Sequence, residues 1–205
     1  MGVISNGTTL LDAGALDSGI ATGAMTLIKT LTASSSGTLS FVHGASSVVL
    51  DGTYKEYIFF FNNIHPASND IFFTFQGSID SGSNYNISMT TTYFDVYNAE
   101  NDSGRDLRYL TGLDQANATS FQPIAAACTN GNDESSSGTL HLFEPSSTTF
   151  VKHFIWEVPS YASSNAMNIQ YGAGYANTTS AINAIQFTMG SGNIDSGVIK
   201  LYGVS

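Results

Sequence analysis

The octapeptide Val151-Lys152-His153-Phe154-Ile155-Trp156-Glu157-Val158 decides how the chain is read. Phe154, Trp156 and Val158 fall on one side of an extended backbone, and His153, Ile155 and Glu157 on the other. That period of two belongs to a strand, not to a helix. Working outward, short runs rich in β-branched and aromatic residues recur at 25–32, 38–43, 47–50, 56–62, 71–77, 87–97, 120–127, 138–143, 150–159, 167–175, 181–189 and 197–202. Between them stand turn-forming clusters such as Ser34-Ser35-Ser36-Gly37, Pro66-Ala67-Ser68-Asn69-Asp70 and Asp80-Ser81-Gly82-Ser83-Asn84. Such clusters supply positive φ angles and side-chain-capped turns. No segment holds a 3.6-residue period over ten residues. The expectation is an all-β, antiparallel two-sheet β-sandwich, jelly-roll-like, over residues 25–205.

Two details refine that expectation. Phe59-Phe60-Phe61 does not alternate, which implies cover on both faces, by a second sheet and by a subunit neighbour; Phe59 and Phe61 are therefore candidate interaction residues. Ser36-Gly37, Ser137-Gly138 and Ser196-Gly197 each read as a turn placed just before a strand. Their unequal separations argue against a repeat array.

Residues 1–24 have another character. Short apolar pairs, Val3-Ile4 and Leu10-Leu11, are separated by Gly, Asn and Asp with no aromatic residue. This reads as an extended N-terminal arm that orders against the body or a neighbouring subunit, with Val3, Ile4, Leu10 and Leu11 as its contacts. The opening residues lack the basic and apolar regions of a secretion signal, and no run approaches the length of a membrane span.

Of the 205 residues, 42% are hydrophobic and only 11% charged, against roughly a quarter charged in an ordinary domain. Six Lys and Arg face sixteen Asp and Glu, for a net charge of −10. Nucleic acid and anionic membranes demand clustered cations, so neither is an expected partner. The single cysteine, Cys128, follows Ile124-Ala125-Ala126-Ala127 and reads as an inert buried thiol.

Motifs for catalysis are missing. There is no Gly-x-Ser-x-Gly elbow, no phosphate-binding glycine loop and no HExxH pattern. His43, His65, His141 and His153 share no ligand spacing. Asp95 and Glu157 lie within expected strands, where carboxylates ordinarily face solvent or pair with a cation, and no catalytic residue is assigned. Residues 100–106 and 130–134 carry oxygens suited to calcium, but neither has the EF-hand spacing and Arg105 interrupts the first; ordinary turns are the preferred reading and no cofactor is expected. Tyr161, Tyr171 and Tyr175, among Asn165, Asn168, Gln170 and Asn177, have the chemistry of a glycan contact and equally of packing.

Several longer phrases resemble small virion proteins of tailed, notably marine, bacteriophages. They are residues 4–15, ISNGTTLLDAGA; 56–66, EYIFFFNNIHP; 75–78, FQGS; 140–149, LHLFEPSSTT; 178–187, TTSAINAIQF; and 192–204, GNIDSGVIKLYGV, the most specific of them. The resemblance implies a jelly-roll-like structural protein without catalytic residues, displayed on the virion after synthesis in the host cytoplasm, as a homotrimer. Relatives of this kind serve as capsid decorations and as tail or fibre components. The leading expectation is a capsid decoration (cement) protein contacting the major capsid protein or other virion proteins. The rival is a tail or fibre module that recognises host surface glycans. A depolymerase would need paired carboxylates about 5–10 Å apart in a groove.

Overall fold

The structure, a computed structural model, describes residues 3–5, 8–12, 15–16, 24–163 and 165–205. Among them every element is a strand. In chain order these are β1 (Val3–Ser5), β2 (Thr8–Asp12), β3 (Ala15–Leu16), β4 (Met25–Ser36), β5 (Leu39–Val42), β6 (Glu56–Pro66), β7 (Ile71–Ser78) and β8 (Met89–Ala99). They continue with β9 (Arg105–Tyr109), β10 (Gln122–Cys128), β11 (Ser136–Phe143), β12 (Lys152–Ala162), β13 (Ala166–Ala176), β14 (Ala184–Met189) and β15 (Ile194–Val204). All their pairings are antiparallel.

The amino-terminal strands form a three-stranded sheet of their own, β1-β2-β3. The other twelve make one network. One stretch runs β4-β15-β6-β11-β12-β13-β8-β9 and another β10-β7-β14-β5, with Cys128↔Ala162 as the one residue pairing between them. The terminal strands β4 and β5 are separated in the chain only by Gly37 and Thr38, so the network curls nearly into a barrel.

Phenylalanines from both stretches fill the interior. Phe187 of β14 sits at the centre, with ring centroids 5.2 Å from those of Phe59 and Phe61, 5.8 Å from Phe73 and 6.3 Å from Phe41. On β12 the opening octapeptide behaves as its alternation requires: Phe154, Trp156 and Val158 are buried and His153, Ile155 and Glu157 are exposed. The Trp156 ring lies across β13 at Gly172, where a Cβ would collide with it. Any side chain at 172 would therefore displace the indole.

Polar cross-ties complete the interior. The buried Gln76 side-chain nitrogen lies within 3.1 Å of the carbonyl oxygens of Ile87, Thr119 and Ser120, and its Oε1 accepts from Gly77 N–H. Gln122 accepts from Thr91 Oγ1 at 2.7 Å and donates to Leu113 O. These amides satisfy loop carbonyls that the strands cannot reach.

Four sequence expectations need correction. Residues 47–50 form no strand: Val48 and Leu50 are buried, but Gly44 N–H donates to Val48 O and Leu50 N–H to His43 Nδ1, which folds the segment back. The strand β9 went unanticipated because three of its five residues are charged. Ser137-Gly138 and Ser196-Gly197 lie inside β11 and β15, not before them. They flank an extra residue in β6 at Asn63 (φ 50°), where the register slips against both neighbours. Gly197, at φ 121°, is required there, because a Cβ would stand 2.6 Å from the Asn63 carbonyl oxygen.

The fourth concerns Phe59 and Phe61. Both are buried inside the body, 0% and 2% exposed, and are closed to any subunit neighbour. Alternation does hold in the triplet: Phe60 is the outward ring, half-buried against Tyr202 with centroids 5.4 Å apart.

Candidate functional site

The strands that bury aromatic residues inward also present apolar residues outward. Register places Tyr109, Phe94, Tyr171, Glu157 and Thr139 in one row across β9, β8, β13, β12 and β11. The next row holds Leu107, Val96, Ile169 and Pro159. Leu107 is 66% exposed, and Tyr109, Met167, Ile155, Val96 and Phe94 are exposed as well. On β4 the outward Met25 and Leu27 are exposed too. Across β8, β9, β11, β12 and β13 the outward residues include one carboxylate, Glu157, and one cation, Arg105, which Asp102 holds in an ion pair. An antiparallel sheet with a solvated side ordinarily makes that side polar.

The candidate tyrosines belong to this face. Tyr171 stacks on Phe94, with centroids 5.4 Å apart and planes 20° from parallel. Tyr171, Phe94, His141, Ile155 and Glu157 border a shallow depression of ≈ 300 Å³. Tyr175 follows four residues along β13, about 13 Å away at a strand's rise. Tyr161 is outward on β12 opposite Met167, and partial desolvation with Glu100, Glu134 and Asp133 nearby pushes its hydroxyl pKa up. The amides expected around them are placed differently. Asn168 and Gln170 are buried on the opposite side of β13, as even-numbered positions beside odd-numbered tyrosines must be.

That opposite side carries a second feature. Asp95 of β8, 1% exposed, receives two hydrogen bonds from Arg108 of β9: Nε to Oδ1 at 2.9 Å and Nη2 to Oδ2 at 2.5 Å. The carboxylate holds the guanidinium pKa above its ordinary value. Arg108 also lies over the Tyr97 ring, 4.8 Å from its centroid. Next to it, Tyr97, Asn168, Ala99, Ala127, Ala162 and Ser163 border a cleft of ≈ 410 Å³. Ala127 there has φ 55°, at a slip of register between β10 and β7. Spacing alone did not reveal this site. Arg108 was legible only as a rare cation, and nothing local pairs it with Asp95.

The remaining candidates are dispersed. Asp95 and Glu157 point to opposite sides of their strands, one in an ion pair and one in solvent, so they are not a catalytic pair. In the 100–106 segment Arg105 meets Asp102 and β9 begins. In the 130–134 segment Glu134 accepts from Gly131 N–H at 2.8 Å. Among the described residues no three His, Cys, Asp or Glu side chains are grouped to hold a metal. His65 bonds Gly131 O in the loop before β11, and His141 bonds Glu56 across the β11–β6 pair. Cys128 is buried and its thiol pKa is pushed up by desolvation. Of the arm residues, Ile4 is exposed; the side chains of Val3, Leu10 and Leu11 lie outside the described residues.

Comparison with protein-family models, with curated proteins and with solved structures finds no match.

Proposed function

We propose that the chain is a non-enzymatic structural protein of a tailed-phage virion, a capsid decoration protein that assembles as a homotrimer. One observation carries this reading: the outward face of β8, β9, β12 and β13 is apolar and nearly uncharged, on a chain of net charge −10. Copies that repel one another through their acidic surfaces associate best through such a face, where few charges must be desolvated. Closed symmetry then presents several weak contacts at once to the major capsid protein, with the amino-terminal segment as a further point of attachment. We read the strand network as a jelly-roll-like two-sheet sandwich, supported by the slender Cys128↔Ala162 join and by rings of both stretches meeting at Phe187.

Light scattering coupled to size exclusion tests the assembly. The wild type is expected to run as three copies, and Leu107→Asp with Ile155→Asp as one. A wild type that stays monomeric at every concentration would reject it. Cryo-electron microscopy of the virion tests the location, because density for this chain only on the tail would reject the decoration role.

The stacked Phe94–Tyr171 pair beside its depression favours one alternative, a tail or fibre module that docks host glycans on the same face. Loss of host-cell adsorption in Tyr171→Ala, with an unchanged thermal melt, would support it.

A further inference from the structure

The cleft beside Arg108 has features that the assembly reading does not use. Asp95 engages Nε and Nη2 of Arg108, and Nη1 makes no hydrogen bond among the described residues. The guanidinium is thus fixed by a buried carboxylate below and an aromatic ring beside it, with one edge uncommitted. Asn168, 5% exposed, makes no side-chain hydrogen bond among the described residues, and its Oδ1 is fully enclosed. A buried amide without partners is uncommon and costly. Its Nδ2 is not enclosed, and Asn168 borders the cleft. No carboxylate borders the cleft, although the chain has sixteen.

We propose that this cleft binds the carboxylate group of a small ligand, with Arg108 Nη1 and Asn168 Nδ2 as the donors. A planar carboxylate matches a guanidinium edge, and a pre-positioned arginine loses little side-chain freedom on binding. The volume, ≈ 410 Å³, suits a sugar acid or a short dicarboxylate, and the small side chains of Ala99, Ala127 and Ala162 leave the space open. The site lies on the side of β13 opposite the assembly face. It stands or falls independently of the trimer.

Titration of the full chain with sodium glucuronate, N-acetylneuraminate, succinate and glucose, followed by amide chemical shifts, tests the proposal. Saturable shifts at Ala99, Asn168 and Arg108 with the acids, and none with glucose, are expected. Saturation by both sugar acids but not succinate assigns an acidic saccharide; saturation by all three assigns the carboxylate alone. Asn168→Leu, of similar size, is expected to weaken binding about tenfold. Ala99→Leu fills the half-open wall and is expected to abolish it, while Tyr171→Ala leaves it unchanged. Absence of saturable shifts with every acid, or equal affinity in Asn168→Leu and the wild type, would overturn the proposal.

Discussion

The two sides of β12 both carry apolar residues, yet those residues live in different surroundings. Phe154, Trp156 and Val158 are at most 3% exposed, whereas Ile155 between them is 46% exposed. The inward residues meet rings supplied by other strands, Phe75 on Phe154 at 5.2 Å and Tyr93 beside Trp156 at 6.0 Å. The outward ones meet only their neighbours in the same sheet. Burial, not hydrophobicity, separates a side that makes the fold from a side free for a partner. The largest expected effects therefore come from inward residues and the smallest, in stability, from outward ones.

Phe187→Ala should mark the upper end. Its ring meets those of Phe59, Phe61, Phe73 and Phe41, and removing it opens a cavity among rings supplied by three other strands, β5, β6 and β7. A loss of about 3–5 kcal/mol is expected by denaturant titration. Next comes Gln76→Leu. Carbonyls of Ile87, Thr119 and Ser120 would lose their shared donor while the volume stays nearly constant, for a loss of about 2–3 kcal/mol. If this substitution proved neutral, water would be reaching those carbonyls and the seam would be wetter than its burial indicates.

Lys152 sharpens the comparison from the other direction. It is an inward residue of β12 with no carboxylate partner among the described residues, where its ammonium donates to Thr178 O at 3.1 Å. Burial lowers its pKa below the ordinary 10.5. Between that lowered value and 10.5 the unfolded chain holds the proton and the folded chain sheds it, so stability rises with pH across the window. Below the window both states are charged, and the buried ammonium carries its full desolvation cost. Lys152→Met should raise stability at neutral pH by about 1 kcal/mol and flatten that alkaline rise, as read from melts at several pH values.

The sequence was informative wherever period two met a buried ring. β12, β13 and β8 lie within three residues of the ranges read from the sequence, and on β12 and β8 the buried rings Phe154, Trp156 and Tyr93 alternate with exposed positions as a period of two requires. Strand order was not legible, since Phe59 would fit against any strand with an inward ring. Nor was the Asp95–Arg108 pair, whose members are thirteen residues apart on strands that only the hairpin at 99–104 brings together. The tyrosines were legible as a group and misjudged in their company: parity along β13 already put Asn168 and Gln170 on the other side from Tyr171 and Tyr175.

The outward face offers the sharpest contrast with the inward one. Ile155→Thr keeps a β-branched residue on a strand, so the backbone preference is retained, and it removes apolar surface that water already reaches. Thermal unfolding of a dilute sample should change by no more than about 0.5 kcal/mol, far below the effect expected at Phe187. The same substitution at high concentration should weaken self-association, since the area that a second copy would cover becomes partly polar. Stability that fell with Ile155→Thr even in the dilute monomer would mean that the outward row already packs within one chain, and the distinction between the two sides of β12 would disappear. An unchanged melt together with a lower oligomer fraction would locate the contribution of Ile155 wholly between chains, which only a sheet finished on one side and open on the other provides.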